Sequence, residues 1–241
     1  MNRIQLILSL GKAQKYSCFE KLFSTDLLPV SILFFSTFKT DTWYSMQHLE
    51  KNLRSLRDTA PLVHNITNYV VMNFTANALL AVGASPVMAH AVEEVEDMAA
   101  IASALVINIG TLSPRWVEGM ALAMQKARQL GKPIVLDPVG AGATPYRNQV
   151  LARLLTDTPP SLIRGNASEI MALAGLNGQT KGVDSTASSL SSIEAAQQLN
   201  QRFGCVVSVS GEVDVIVDAN QVAYRKNGHP VLGRITGMGC S

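Results

Sequence analysis

Cysteine is scarce in this sequence, and the cysteines present lack the spacing of a disulfide framework or a zinc site. The 241 residues include 3 cysteines, Cys18, Cys205 and Cys240, and no C-x-x-C pair. Small secreted domains and structural zinc sites need more cysteines at closer spacing. The sequence therefore predicts a cytoplasmic protein that folds in a reducing compartment.

Charge of one sign is not in excess either. The 20 basic and 18 acidic residues give a formal net charge of +2, and they are spread along the chain. A nucleic-acid-binding domain usually carries a basic stripe or patch on one face. The even distribution predicts that nucleic acid is not a partner.

No apolar run in the sequence has the length of a membrane span. The run from Leu27 to Phe35 contains Pro29, and it is much shorter than the roughly 20 residues of a transmembrane helix. No small-residue cleavage pattern follows it, so neither a signal peptide nor a membrane partner is predicted. An amphipathic pattern begins at Met46. We expect residues 1–45 to be an N-terminal extension without function and residues 46–241 to form the domain.

Two common nucleotide-binding motifs are also absent. The lysines that follow a glycine, Lys12 and Lys132, do not precede Ser or Thr, so neither belongs to a P-loop. Gly140 and Gly142 lack the third glycine of the dinucleotide fingerprint. A bound nucleotide would therefore need another kind of site.

The sequence does contain an alternation of helical and extended segments from Ala60 onward. Gly83 fits a helix C-cap, and Ser113 followed by Pro114 fits a helix start. The predicted helices cover residues 74–82, 92–103, 114–130, 148–155 and 193–203. The predicted strands cover residues 104–109, 134–136, 161–163 and 205–210, and a hairpin covers residues 213–217 and 222–225. This pattern predicts a doubly wound α/β sandwich with a mainly parallel sheet and an antiparallel edge hairpin.

Polar and small residues follow each predicted parallel strand. The strand ends carry Gly110-Thr111, the run from Asp137 to Gly142, the run from Arg164 to Glu169, and Ser210-Gly211-Glu212. In doubly wound sheets, ligands bind outside the carboxyl ends of the strands. We therefore expect these segments to share one rim and to form the functional site.

Two of these rim residues have a structural interpretation as well as a functional one. Asp137 precedes a proline and fits a turn, while Asn166 fits the N-cap of the helix that contains Glu169. Taken together, Asp137 and Glu169 place two carboxylates beside glycine-rich turns, an arrangement that suits Mg²⁺ with phosphate oxygens as further ligands. Arg164 adds a cation where the phosphates of a nucleotide would lie.

The chain resembles the hydroxyethylthiazole kinase family in motifs that occur in unbroken order from Met46 to Ser241. The motifs read PLVHNITN, NFTAN, GASPVM, NIGT, DPVGAG, RGNASEI and GMGC. The resemblance implies a ribokinase-like three-layer sandwich. It also implies ATP- and Mg²⁺-dependent phosphorylation of 5-(2-hydroxyethyl)-4-methylthiazole in thiamine salvage, by a homotrimer with active sites between subunits.

The same resemblance assigns roles to individual residues of this chain. It implies that the thiazole contacts Met88, Gly237, Asn65, Ile66, Gly110 and Thr111. It implies that ATP contacts Arg164, Ser210 and Asn166, and that Mg²⁺ is held by Asp137 and Glu169. Cys240 takes the catalytic position, where it either accepts the hydroxyl proton through a lowered pKa or closes the pocket around the alcohol.

The chain departs from the family pattern at its end. Met238 stands where the family usually has a threonine, and the sequence stops after Ser241, before the helix that would follow the terminal turn. We therefore expect the domain to lack its C-terminal helices and the chain to be weak or inactive as a kinase. The alternatives are a remnant that binds thiazole or assembles without phosphoryl transfer, and another ribokinase-like enzyme with a different substrate.

Overall fold

The computed structural model describes residues 42–175, 189–219, 221–226 and 228–240. Side chains are described from Leu49 onward within these ranges. Residues 1–41, which are most of the predicted extension and include Cys18 and the apolar run near Pro29, therefore lie outside the described residues. Among the described residues, no helix combines the length and the apolar character that crossing a membrane requires.

Helices and strands alternate along the described chain, as the sequence pattern predicts. The helices are α1 (Thr42–Thr59), α2 (Met72–Val82), α3 (Val95–Ile101), α4 (Pro114–Gln129), α5 (Pro145–Asp157), α6 (Ala167–Ala174) and α7 (Ile193–Phe203). The strands are β1 (Leu62–Ile66), β2 (Ser85–Val87), β3 (Ala104–Asn108), β4 (Ile134–Asp137), β5 (Leu162–Asn166), β6 (Val206–Ser210), β7 (Asp214–Asp218) and β8 (Gln221–Arg225). Short 3₁₀ helices cover Ser189–Ser192 and Pro230–Arg234.

The strands form one 8-stranded sheet in the order β2-β1-β3-β4-β5-β6-β7-β8. The pairs from β2 through β6 are parallel. The β6–β7 and β7–β8 pairs are antiparallel. The predicted mainly parallel sheet with an antiparallel edge hairpin is therefore confirmed.

Local signals explain several of the element boundaries. The Ser113 hydroxyl accepts a hydrogen bond from the Trp116 N–H at 3.4 Å and Pro114 opens α4, as the sequence predicts. Gly83 ends α2 in the left-handed region with φ 105°. Several predicted boundaries were wrong: β5 continues through Arg164 to Asn166, α3 covers Val95–Ile101 rather than residues 92–103, and α5 covers Pro145–Asp157 rather than residues 148–155.

The core lies on both faces of the sheet. Leu105 and Ile107 of β3 belong to the larger buried cluster, which includes side chains of α4, α5 and α7. Val106, between them, packs against a smaller cluster with Val63 and Leu79 of α2. Because neighbouring residues of a strand point to opposite faces, the sheet is covered on both sides.

The carboxyl ends of the parallel strands lie along the same side of the sheet. The register between neighbouring strands determines which of their last residues are paired. Asn108 at the end of β3 pairs with Asp137 at the end of β4. Asn166 at the end of β5 pairs with Ser210 at the end of β6. The polar strand ends therefore share one rim, as predicted.

Candidate functional site

Two buried amides and one buried carboxylate form a chain of hydrogen bonds across the ends of β1, β3 and β4 at this rim. Asn68, which follows β1, donates from Nδ2 to Asn108 Oδ1 at 2.8 Å. Asn108 in turn donates from Nδ2 to Asp137 Oδ2 at 2.8 Å, and its Oδ1 also accepts the Gly110 N–H at 2.9 Å. Asn68, Asn108 and Asp137 are all buried. The strand ends are thus locked together by side chains as well as by the sheet.

Asp137 is the most perturbed carboxylate in the described site. Its pKa is raised from 3.8 to about 7, mainly by burial and in addition by the nearby Glu169, although Arg164, the Asn108 amide and the Cys240 thiol each act to lower it. The Arg164 guanidinium Nη1 lies 4.0 Å from Asp137 Oδ2. Arg164 is itself buried at 8% exposure. The two side chains form a buried pair of opposite charge at the centre of the rim.

Glu169 holds backbone groups on both sides of its carboxylate. Its Oε2 accepts the Asn166 N–H at 2.9 Å, and its Oε1 accepts the Gly140 N–H at 3.0 Å. Asn166 Oδ1 accepts the Glu169 N–H at 2.9 Å, which completes a capping box at the start of α6. The N-cap interpretation of Asn166 is therefore confirmed, and Glu169 connects α6 to the glycine turn after Asp137.

The two carboxylates at this rim, those of Asp137 and Glu169, offer oxygen atoms as ligands for a metal ion. In the described ranges, no group of three or more His, Cys, Asp and Glu side chains comes together as a metal cage. Asp137 and Glu169 are close enough to interact electrostatically. Two carboxylates without a full cage match the way proteins hold Mg²⁺, which keeps waters and takes phosphate oxygens as its other ligands.

Ser210 lies at the end of the strand next to the Arg164 strand. Its Oγ donates to the Gly165 carbonyl at 3.3 Å, and its side chain is half-buried. The candidate ATP residues Arg164, Ser210 and Asn166 are therefore on two adjacent strand ends, beside the Asp137 carboxylate.

The terminal turn brings Cys240 to the other side of Asp137. The Cys240 thiol interacts with the side chains of Asp137, Asn108 and Asn68. Burial and the Asp137 carboxylate raise the pKa of this thiol above 9.0, more than the two amides lower it. The lowered pKa that was one of the two expectations for Cys240 is therefore wrong, and the side chain is a neutral thiol at neutral pH.

Gly237 fixes this turn against α2. It has φ 87°, a conformation that favours glycine. A Cβ atom at this position would lie 2.9 Å from Val71 Cγ1, so the backbone approaches the start of α2 closely. The Cys240 N–H donates to the Gly237 carbonyl at 2.9 Å, which closes the turn over the rim.

The remaining candidate thiazole residues lie at the ends of β1, β2 and β3. Gly110 packs against the Asn68 side chain, and Thr111 Oγ1 accepts the Tyr69 N–H at 3.2 Å. Asn65 donates to the Val63 carbonyl at 2.9 Å. Two further positions differ in exposure, since Ile66 is fully buried in the core while Met88 is half-buried.

The segment that carries Met88 is held from two directions. Buried His64 of β1 makes a 2.7 Å hydrogen bond through Nε2 to the Ala89 carbonyl. The His90 ring stacks on Trp116 of α4 with centroids 4.5 Å apart. The position of Met88 thus depends on both the sheet and α4.

Comparison with known proteins decides the family. The family model described as "HK: Hydroxyethylthiazole kinase family" matches residues 53–241. This chain belongs to the hydroxyethylthiazole kinase family. The relative named "Hydroxyethylthiazole kinase" from Leptothrix cholodnii (strain ATCC 51168 / LMG 8142 / SP-6) is 60% identical over 188 residues, which are 78% of this chain and 68% of the relative.

Solved structures agree with this assignment. The hydroxyethylthiazole kinase protein from Pyrococcus horikoshii OT3 superposes with a TM-score of 0.70 and 48% identity, covering 78% of this chain and 70% of that one. The pyridoxal kinase from Staphylococcus aureus has a TM-score of 0.50 at 14% identity, over 67% of this chain and 70% of its own, so it shows a shared fold only. The predicted ribokinase-like fold is confirmed.

The sequence interpretation gave no role to three residues that this hydroxyethylthiazole kinase family member places at the rim. Asn68 and Asn108 form the amide chain to Asp137. Their signal was available, because each lies within a family motif and Asn108 stands at the end of β3. Arg147 of α5 contacts the strand ends through a long side chain, and nothing in its local sequence indicated this.

Proposed function

We propose that this chain transfers the γ-phosphoryl group of ATP to the hydroxyl of 5-(2-hydroxyethyl)-4-methylthiazole, a step of thiamine salvage. The observation that carries the proposal is the family match over residues 53–241, because this range includes every residue of the rim network. The relatives' name supplies the substrate. The rim supplies a site of suitable chemistry, with one buried cation, two carboxylates and neutral hydrogen-bonding groups.

In this proposal, Asp137 and Glu169 hold Mg²⁺ through carboxylate oxygens. Their fit rests on the oxygen donor set and on the mutual repulsion that contributes to the raised pKa of Asp137. When bound, the ion neutralises part of the charge on the ATP phosphates. Glu169 has a second task, since it fixes the Gly140 N–H and hence the turn that follows Asp137.

Arg164, Ser210 and Asn166 are proposed to bind ATP. Arg164 is buried beside Asp137, so its charge is little screened by water and favours an anion at the adjoining rim. Ser210 and Asn166 are neighbours across β5 and β6. The nucleotide side of the site is therefore proposed to lie at the β5 and β6 ends, with Asp137 between it and the terminal turn.

The thiazole is proposed to lie on the opposite side of Asp137. Its contacts would come from Met88, Gly237, Asn65, Ile66, Gly110 and Thr111. Phosphoryl transfer needs alignment and charge stabilisation more than a strong base. Cys240, as a neutral thiol beside Asp137, is suited to orienting the alcohol by hydrogen bonding rather than to taking its proton.

The test is a direct assay of the 241-residue chain with ATP, Mg²⁺ and hydroxyethylthiazole. ADP formation should depend on the thiazole, and mass spectrometry should find the thiazole phosphate in equal amount. An Asp137→Asn variant should fold and lose at least about 100-fold in kcat. Thiazole binding by calorimetry without ADP formation would instead support the binding-only alternative. Phosphorylation of a different small alcohol in a substrate panel would support another kinase specificity.

We also propose a cytoplasmic homotrimer with active sites between subunits. Tyr69 and Val70, at 65% and 66% exposure, and Phe74 form an apolar surface at the start of α2. A Cβ atom at Gly237 would lie 3.7 Å from Phe74 Cδ1, so this surface adjoins the terminal turn. Light scattering should give about three times the 25.9 kDa chain mass. A monomer with full thiazole-dependent activity would contradict the assembly proposal.

A further inference from the structure

Arg147 of α5 joins the segments that follow two neighbouring strands, β3 and β4, beyond the last backbone pairing of these strands in the sheet. Its Nη1 donates to the Ile109 carbonyl at 2.6 Å and to the Val139 carbonyl at 2.7 Å. Its Nη2 donates to the Gly110 carbonyl at 2.8 Å. Ile109 and Gly110 follow β3, whereas Val139 follows β4. One guanidinium group therefore holds the backbone of both segments.

The two segments have different proposed tasks. The one after β3 leads to Thr111 on the thiazole side, and the one after β4 forms the glycine turn between Asp137 and Gly142. The Arg147 side chain also packs on that turn, because a Cβ at Gly140 would lie 3.4 Å from Arg147 Cδ and Nε. The guanidinium group thus sets the distance between the alcohol side and the carboxylate side of the site.

Other residues hold the glycine turn without linking it to the β3 end. Asn148 Oδ1 accepts the Gly142 N–H at 2.9 Å, and Glu169 Oε1 accepts the Gly140 N–H at 3.0 Å. Asn108 connects β3 to Asp137 inside the strand register, and the Ile109 N–H donates to the Asp137 carbonyl at 3.3 Å, which extends this pairing by one residue. Beyond that pairing, the direct link from the Gly110 backbone to the turn is made by Arg147.

The chemistry of arginine suits this task. The guanidinium group presents N–H donors in a fixed plane, so it can satisfy several carbonyl oxygens at once, whereas an ammonium group donates from a single atom. Among the described residues, no carboxylate forms an ion pair with Arg147. Its charge is therefore directed at the carbonyl groups of the rim.

We propose that Arg147 is a positioning residue for phosphoryl transfer, which fixes the thiazole-side end of β3 relative to the carboxylate-bearing turn after β4. This inference rests on the proposed kinase function. Loss of the guanidinium group lets the two segments move independently. A misplacement of about 1 Å can cost about 100-fold in rate, so kcat should suffer more than substrate affinity.

The test compares Arg147→Met with Arg147→Lys and a matched control, Arg153→Met. Arg153 lies on the same helix, but it pairs with Glu118 at 2.9 Å on the protein surface. Arg147→Met should lower kcat by about 30- to 300-fold and change either KM by less than about 5-fold. Arg147→Lys should recover part of kcat, and Arg153→Met should stay within about 2-fold of the wild type. Equal kcat for Arg147→Met and Arg153→Met would overturn the proposal.

Hydrogen exchange separates this inference from the kinase proposal, because it needs no turnover. The amides of residues 109–111 and 140–143 should exchange at least about tenfold faster in Arg147→Met than in the wild type, with no change at the α7 amides. Unchanged exchange at both segments would refute the clamp even if the variant were less active. If the wild type does not phosphorylate the thiazole, the kinase proposal fails, and the exchange result alone decides whether Arg147 holds the two segments.

Discussion

Replacing Gly119 by alanine is predicted to destabilise the protein and to disturb the Met88 segment. Gly119 lies within α4 and is buried. A Cβ atom there would lie 2.7 Å from the His90 carbonyl oxygen and 3.6 Å from Val95 Cγ1. The first contact is with backbone, so no side-chain rotation relieves it. Either α4 or the segment from Met88 to His90 must move.

Two opposing free-energy terms set the magnitude. In an exposed helix, alanine is more stable than glycine by about 1 kcal/mol. Inserting a methyl group into a packed site typically costs about 1–3 kcal/mol, and a contact with backbone belongs in the upper part of this range. We expect a net loss of about 1 kcal/mol in the free energy of unfolding. For a chain of this size, that corresponds to a fall in Tm of about 2–4 °C.

Thermal unfolding by circular dichroism measures the effect, and exposed Gln125 of the same helix supplies the control. The difference between Gln125→Ala and Gln125→Gly gives the helix propensity term without the steric term. Gly119→Ala should be less stable than the wild type, although the helix propensity term favours alanine. Its KM for hydroxyethylthiazole should rise, because Met88 shifts. An increase in Tm equal to the Gln125 difference would refute the steric argument.

Four further predictions concern other contacts of the fold and the site. Lys132 donates to the Ala99 carbonyl at 3.0 Å and to two more carbonyls at the end of α3. Lys132→Met should therefore lose about 1–3 kcal/mol of unfolding free energy in urea titrations, and an unchanged urea midpoint would contradict this. Burial lowers the pKa of His64 below 6.5, so this side chain takes up a proton in the unfolded chain before it does so in the folded one as the pH falls. The free energy of unfolding should therefore decrease below about pH 6.5, and His64→Gln should remove this contribution to the slope of Tm against pH. A Cβ at Gly110 would lie 2.7 Å from Asn68 Nδ2, so Gly110→Ala should displace the Asn68 amide and lower kcat by about 10- to 100-fold. If the variant keeps the kcat of the wild type, the chain of amides to Asp137 is dispensable. Because its pKa is raised, the Cys240 thiol should react with iodoacetamide more than about tenfold slower than a free thiol at pH 7.5, as measured by peptide mass spectrometry, and faster labelling would indicate a thiolate.

The parts of the fold that the sequence predicted are those with strong local signals. The continuous apolar segment of β3 and the Ser113-Pro114 start of α4 need no tertiary information. β1 was not predicted, because His64 and Asn65 interrupt its apolar pattern. In the interior, His64 is hydrogen-bonded to the Ala89 carbonyl and Asn65 donates to the Val63 carbonyl of its own strand. β2 has only three residues, one of them a proline, so its local sequence does not indicate a strand. It is recognised as one through its pairing with β1.

The site shows the same division between local and non-local information. The sequence indicated the carboxylates of Asp137 and Glu169, because each stands beside a glycine-rich turn. It did not indicate the partner of Asp137, since the contact with Asn108 depends on the register between β3 and β4. Arg147 depends on still more, namely the packing of α5 under two strand ends.

The pKa of Cys240 was misjudged because it depends on what surrounds the thiol rather than on the turn that carries it. A glycine turn with free N–H groups favours a thiolate, and that expectation considers the terminal turn alone. In the folded chain, the thiol is half-buried next to the Asp137 carboxylate. Two acidic groups in contact do not both ionise easily, and the carboxylate ionises first because its pKa, at about 7, is the lower one. The negative charge of this pair therefore belongs to Asp137, beside Arg164. A role for Cys240 in phosphoryl transfer must accordingly be one that a neutral thiol can perform.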